Sequence, residues 1–273
     1  MGLSQQHTQK YQSIIHMMVV DTFTTTLEYT CIFSGIKKMR DFLVTYLSPK
    51  LKLEENTTVN LDNSMSAATI NALIAAQPKD LNGYTLTFQF ADGTYTLNET
   101  LDFSGFRGGG TLSIYGNSSD NSLSTTKSVN LDFSGTAGLN GLHVFDNVGV
   151  RSDVFYLKIT TNSSSSVYSL YFRNCTWGRA YYNYVTASSA ANGFGYTSYA
   201  SHCTFQNNYI TGHWAGFYFT YSSHNMAWAN DDSGTLPSRA YYGDGGSRTG
   251  YYSTVPAAST TQITQNGGSK ITS

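Results

Sequence analysis

Thr85-Leu86-Thr87-Phe88-Gln89-Phe90 alternates polar and apolar residues without a break, Asp92-Gly93 supplies a turn, and Tyr95-Thr96-Leu97 resumes the alternation. Successive side chains of a strand point to opposite faces, so Leu86, Phe88 and Phe90 share one face and read as core. Short bursts of the same kind follow at Leu101–Phe103, Leu112–Ile114, Val129–Phe133, Leu142–Val144, Phe155–Ile159, Leu170–Phe172, Cys203–Phe205 and Phe217–Tyr221, with Gly, Asn or Ser in the gaps. Just upstream the period is helical. Ser66 can cap a helix whose face carries Ile70, Leu73 and Ile74 and which Pro78 closes, so a helix over 66–76 hands over to strands.

The strand region echoes itself. Leu101-Asp102-Phe103-Ser104-Gly105 recurs as Leu131-Asp132-Phe133-Ser134-Gly135, and Cys175-Thr176-Trp177 recurs as Cys203-Thr204-Phe205. Repeats of roughly 30 residues, the interval of both echoes, mark units that bury their apolar faces by stacking. With no strong helical period here, the expected fold is mainly β: a right-handed parallel β-helix, a single-stranded solenoid of about five coils between Tyr84 and Asn230, with a propeller or a sandwich as the alternatives. Phe103 over Phe133, Trp177 over Phe205 and Cys175 over Cys203 are the expected ladders, and Asn174, Asn207 and Asn208 are candidates for hydrogen-bonded stacks at corners.

Three domains are expected. Residues 1–60 form a helical segment of unassigned role, since Tyr11, Ile14, Ile15 and Met18, and again Ile36, Met39, Leu43, Tyr46 and Leu47, fall at helical spacing. Residues 61–235 form the β-helix with its capping helix, and the Thr/Gln/Gly-rich residues 236–273 form a polar tail or linker.

Composition narrows the function. Lys and Arg number 16 against 17 Asp and Glu, a net charge of -1, which argues against a nucleic-acid partner. The apolar stretch Ile14–Val20 is too short to span a bilayer and lacks a small-residue cleavage site, so neither membrane insertion nor a signal peptide is expected. Cys31, Cys175 and Cys203 are odd in number and widely spaced, which suggests reduced, buried thiols rather than a disulfide framework or a zinc site.

The segments Ala68-Thr69-Ile70-Asn71-Ala72-Leu73-Ile74, Pro78-Lys79-Asp80-Leu81-Asn82-Gly83-Tyr84 and Phe90-Ala91-Asp92-Gly93-Thr94-Tyr95 resemble the opening of β-helical tail fibre and tailspike proteins of bacteriophages. In those a short helix leads through a Pro and a Gly-Tyr into the first strand, and an Ala-Asp-Gly-Thr-Tyr turn follows. The match covers about residues 64–120 and continues more weakly, as a β-helix of the pectate-lyase-like type, to about 230. The resemblance implies a homotrimer that attaches to host surface glycan or receptor beside other tail proteins, in the virion or outside the cell.

Glycan cleavage on such folds rests on paired carboxylates, which makes Asp231, Asp232 and Asp244 the candidates for a polysaccharide depolymerase, against the competing reading of solvated loop residues. Gly212-His213-Trp214 before Asn230-Asp231-Asp232 reverses the order of the polygalacturonase elements and lacks their second glycine. His202, His213 and His224 recur at equal intervals, which would suit a metal ladder only if that interval were half a coil; the echoes argue otherwise, and neither a metal nor another cofactor is expected.

Aromatic residues carry a stronger signal. Tyr168, Tyr171, Tyr181, Tyr182, Tyr184, Tyr196, Tyr199, Trp214, Tyr218, Tyr221 and Trp228 are too many for one narrow interior, so some face outward, where rings stack on sugars or pack against sister chains. Tyr182, Trp214 and Tyr218 are the expected ligand contacts. The expected function is thus a tail-associated structural or receptor-binding protein, with a depolymerase or a bacterial surface adhesin of the same fold as alternatives.

Overall fold

The computed structural model describes residues 52–162, 167–188, 193–221, 223–232, 236–252, 256, 258 and 261–272. The expected N-terminal helices and Cys31 lie outside the described residues.

Strand β1 (Thr57–Leu61) and helix α1 (Ala67–Ala75) lead into a first full turn of β2 (Thr85–Phe90), β3 (Gly93–Thr96) and β4 (Leu101–Asp102). The next turns are β5 (Thr111–Tyr115), β6 (Val129–Asp132) and β7 (Leu142–Phe145), then β8 (Arg151–Phe155), β9 (Lys158–Thr161) and β10 (Tyr168–Arg173). They continue with β11 (Trp177–Tyr181), β12 (Tyr184–Ala187) and β13 (Phe194–Tyr199), then β14 (His202–Gln206), β15 (Tyr209–Thr211) and β16 (Ala215–Thr220). The last are β17 (His224–Trp228), β18 (Asp231–Asp232) and β19 (Arg239–Gly243), followed by β20 (Arg248–Tyr252), β21 (Thr261–Gln265) and β22 (Lys270–Thr272).

From β2 to β19 each turn gives one strand to each of three parallel sheets, while β1, β20 and β22 extend the nine-stranded sheet and β21 the seven-stranded one. The nine-stranded sheet runs β1-β2-β5-β8-β11-β14-β17-β20-β22, the seven-stranded sheet β21-β19-β16-β13-β10-β7-β4, and the six-stranded sheet β18-β15-β12-β9-β6-β3. This is a parallel β-helix of about eight turns. Its core is built from vertical columns. Leu101, Leu142, Leu170, Tyr196, Phe217 and Tyr241 follow one another up the seven-stranded sheet, and Tyr95, Leu131, Ile159, Val185 and Ile210 up the six-stranded one, all buried. Where the facing column narrows, packing compensates: a Cβ on Gly178 would lie 2.8 Å from the ring of Phe172, so only glycine lets that ring approach.

Corners repeat as well. Tyr156, Tyr182, Asn207 and Ala229 have φ of 64°, 56°, 52° and 50°, and the left-handed kink at each is followed by Leu157, Asn183, Asn208 or Asn230. Asn183, Asn208 and Asn230 form a buried stack in which each amide bonds the turn before it (Asn208 Nδ2 to Ala180 O, 2.7 Å; Asn230 Nδ2 to Phe205 O, 3.0 Å). Of the three asparagines expected at corners, Asn208 lies inside this stack. Asn207 supplies the kink beside it, and Asn174 sits at the opposite corner, its amide on Asp146 Oδ1 (2.7 Å).

The helix begins as expected, with Thr69 N donating to Ser66 Oγ (3.2 Å) and with Ile70 and Ile74 buried. It also covers an edge. Asn71 Nδ2 donates to Thr100 O (2.9 Å) and its Oδ1 accepts from Asp102 N (3.0 Å), so one side chain takes the place of a missing strand beside β4. No helix among the described residues is long and apolar enough to cross a membrane.

Two expectations are corrected. Leu101 pairs with Leu142, whereas Leu131 pairs with Tyr95 and Ile159, so the echoed segments lie in different sheets and Phe103 does not stack on Phe133. Cys203 pairs with Gly178 and Phe205 with Ala180, out of step with the Cys-Thr-aromatic echo, and Trp177 is an exposed residue rather than a core partner of Phe205, whereas Cys175 does lie beside Cys203, its carbonyl accepting from His202 N (3.2 Å). The steps between turns vary too much for a fixed repeat: Leu86 pairs with Leu112, Leu112 with Ser152 and His202 with His224. The solenoid also overruns its expected limits. It starts with β1 and continues past residue 235 through β19 to β22, because a terminal strand gets its hydrogen bonds from the turn below and needs few apolar side chains of its own.

Candidate functional site

On the seven-stranded sheet one residue near the start of each of β10, β13, β16 and β19 drops out of the ladder while the register stays constant on either side: Tyr168 pairs with Phe194 and Leu170 with Tyr196, Phe194 with Ala215 and Tyr196 with Phe217. Around this interruption Tyr168 and Phe194 face outward while Leu170 and Tyr196 stay in the core. The outer face thereby gains a row of rings in addition to the regular outward column of His143, Tyr171, Thr197, Tyr218 and Tyr242.

These rings touch. Tyr168 stacks on Phe194 (centroids 5.1 Å, 15°), Phe194 on Tyr218 (4.6 Å, 25°) and Tyr218 on Tyr242 (5.2 Å, 19°). Trp214 stands edge-on to Phe194 (5.5 Å) and Tyr242 (5.3 Å), and the Arg239 guanidinium lies over Trp214 at 4.1 Å. At the other end Tyr171 meets Tyr168 (4.5 Å) and Phe145 (4.8 Å), while Arg173 lies 4.1 Å over Phe145. The result is an aromatic pavement laid across β7, β10, β13, β16 and β19. Its closure is measured by Thr197, which points outward at its centre and is 0% exposed.

Burial sets the protonation of the pavement. It pushes the Tyr171 phenol up to about 12 and raises those of Tyr168 and Tyr218, so at neutral pH all three hydroxyls are donors. Burial also holds His143 down to about 4, with Asp102 opposing and Arg173 adding, so its ring is neutral. Flat rings, neutral phenols and two guanidiniums can stack on a pyranose face and bond its hydroxyls.

Of the residues expected to contact ligand, Trp214 and Tyr218 are in the pavement. Tyr182 is not; it occupies a left-handed corner between the nine- and six-stranded sheets and stacks on Tyr156 (5.8 Å, 16°). Tyr196, grouped by sequence with the surface aromatics, is buried, its hydroxyl bonding Asn183 O (3.1 Å) and Tyr209 O (3.2 Å). His143, Phe145, Phe194, Arg239 and Tyr242 complete the pavement and were not legible from sequence. Their only signal is variable spacing, such as the step from Tyr218 to Tyr242.

Asp231 and Asp232 form β18 in the six-stranded sheet, whereas Asp244 follows β19 at the corner leading to β20, its Oδ1 accepting from Gly245 N (2.7 Å). A strand of the nine-stranded sheet, five residues in β17, spans the gap between those two corners, on the order of 15 Å at the rise of an extended chain. Paired glycosidase carboxylates stand roughly 5 to 9.5 Å apart. His202 and His224 are neighbours one turn apart (ring centroids 5.1 Å), so the step from one to the other is a full turn, shorter than the period read from the echoes. His213 lies half a turn away in the core, with Nδ1 2.7 Å from Thr211 O and Nε2 2.8 Å from Ser169 Oγ. No group of three His, Cys, Asp or Glu that could hold a metal occurs among the described residues. Cys175 and Cys203 are free and buried.

Comparison with known proteins finds no matching family model, no similar curated protein and no similar solved structure.

Proposed function

We propose that this protein is a non-enzymatic recognition module of the phage tail fibre and tailspike type, which holds a host-surface glycan against the aromatic pavement of its seven-stranded sheet. One observation carries this reading: rings from five successive turns are stacked edge to edge on the outside of the solenoid, where the core gains nothing from them. The separation of Asp244 from Asp231 takes the third candidate carboxylate away from the depolymerase alternative, leaving it with the neighbouring pair Asp231 and Asp232. Placement in the virion or outside the cell, and contact with other tail proteins, belong to the same proposal.

A second reading is favoured by a specific observation on the same face. The stacked rings of five turns, with Arg173 and Arg239 laid over them, form one continuous outer surface that would equally pack against sister chains, as in a homotrimer joined through the pavement. Both readings are tested by light scattering and a glycan array on the same purified protein, with assay for released oligosaccharide. Retention of glycan without release supports the first reading, and a trimer that binds no glycan supports the second. Release that Asp231→Asn or Asp232→Asn abolishes would replace both with the depolymerase.

A further inference from the structure

The nine-stranded sheet has a different outer face. Arg151 pairs with Trp177, the pairing of Gly178 with Cys203 sets Trp177 beside His202, His202 pairs with His224, His224 with Arg248, and Arg248 with Lys270. Paired strands are ~4.8 Å apart, so these side chains form one continuous column with no carboxylate in it. His202, His224, Arg248 and Lys270 are exposed, and Trp177 is 55% exposed.

Further along each strand lies a parallel column of rings: Tyr115 stacks on Phe155 (5.1 Å, 19°), Phe155 on Tyr181 (4.8 Å, 7°), and Gln206 and Trp228 continue it. Between the two columns Asp153 is fully engaged. Arg179 grips both its oxygens (2.7 and 2.6 Å) and Arg151 approaches at 3.3 Å, so the one carboxylate of this face is outnumbered by guanidiniums. Higher up the solenoid the middle position is Gly250, where a Cβ would meet nothing within 4 Å. His224, Arg248, Gly250, Gly268, Lys270 and Thr272 there line an open hollow of about 520 Å³. The chain as a whole carries a formal net charge of -1, so this concentration of cations is local.

We infer that this face binds an acidic polysaccharide, its sugar carboxylates on Arg248 and Lys270 and its rings along the trough between the cationic and aromatic columns. Charge complementarity selects the occupant: Arg151, Arg248 and Lys270 in a single row flanked by rings match a single chain bearing carboxylates on stackable sugars, whereas a nucleic acid would call for a broader basic surface. The inference rests on the reading of the protein as a glycan binder but uses a face separate from the pavement.

The test is surface binding of the whole protein to polygalacturonate, alginate, hyaluronan and polysialic acid, with dextran and single-stranded DNA as controls. At least one acidic glycan is expected to bind with a strong dependence on salt. Arg248→Gln/Lys270→Gln should weaken it by about tenfold or more, and Gly250→Leu, which fills the hollow, should weaken it likewise while the melting curve stays in place. Failure of all four glycans to bind above dextran, or unchanged binding by the double variant, would overturn the inference. So would DNA binding as tight as that of the best glycan and lost in the same variant. A protein that holds neutral glycans on an array but none of these four sinks this inference alone, and one that holds no glycan of either kind sinks the proposed function with it.

Discussion

Asn208 Oδ1 accepts from both the backbone N–H and the side-chain amide of Asn183 one turn below (3.1 and 3.3 Å), while Asn208 Nδ2 donates to Ala180 O (2.7 Å). The same amide donates to Asn230 Oδ1 of the turn above (3.1 Å), and Asn208 N donates to that oxygen as well (3.0 Å). Bends in the solenoid leave backbone groups without strand partners, and this buried amide ladder satisfies them in sequence.

Asn208→Ala strands several of those groups at once, and each unpaired buried group costs roughly 1 to 3 kcal/mol, so a loss of about 3 kcal/mol or more is expected. Asn207→Gly, one residue earlier, preserves the left-handed backbone (φ 52°) and should change stability by no more than about 1 kcal/mol. Urea titrations of the two variants check the ranking; equal midpoints would mean the ladder contributes nothing.

The inward face of β2 supports the second prediction. Phe88 is fully buried and stands edge-on to Phe103 at 5.1 Å, so Phe88→Ala should destabilise by about 3 to 5 kcal/mol. Asp231 is exposed, and Asp231→Asn should leave the fold in place. Thermal melts in the opposite order would show that the faces of the strands are assigned wrongly.

The faces of β2 were legible because strict alternation fixes which side chains are inward, and Ser66 marked the helix because its hydroxyl has one effective local partner. Register was not legible. Turns differ in length, and residues 116–128 leave the coil as a loop between β5 and β6, so identical pentapeptides such as 101–105 and 131–135 fall on different sheets. A better guide lay in the corners: Tyr182-Asn183, Asn207-Asn208 and Ala229-Asn230 mark equivalent bends, and their spacing gives the true local steps. The pavement escaped for a related reason, since Tyr168 and Phe194 face outward where one residue of each strand leaves the ladder, an interruption that plain alternation does not announce.

His213 makes the third prediction one of pH. Its buried ring donates from Nδ1 to Thr211 O and accepts at Nε2 from Ser169, whose hydroxyl also meets Thr161 Oγ1 (2.7 Å), and burial pushes the imidazole down to about 4. An unfolded histidine titrates near 6.5, so between about pH 6.5 and 4 the unfolded chain holds more protons and stability falls as pH falls. The loss from this group reaches about 3 kcal/mol at the acid end. His143, also held down to about 4 by burial, adds to the same trend. In denaturant titrations from pH 7.5 to 4, His213→Gln should begin less stable and lose less; a slope identical to the parent's would remove His213 as the cause.

The last prediction separates the pavement from the corner. Trp214 and Tyr218 both touch Phe194, and Trp214 also carries the Arg239 guanidinium, so a sugar laid across this face would contact both rings. Tyr182 stacks on Tyr156 at a bend between two other sheets, away from that face. Replacing Trp214 or Tyr218 with Ala should therefore weaken attachment to host cells or to the glycan found on an array by about 1 kcal/mol or more each, as for contact anchors. Their melting curves should shift little, because both rings lie outside the core. Tyr182→Ala should leave attachment unchanged, since its ring meets Tyr156 rather than the pavement. Attachment assays on the three purified variants decide the matter: equal losses at all three positions would move recognition off the seven-stranded sheet, and a loss at Tyr182 alone would place it at the corner.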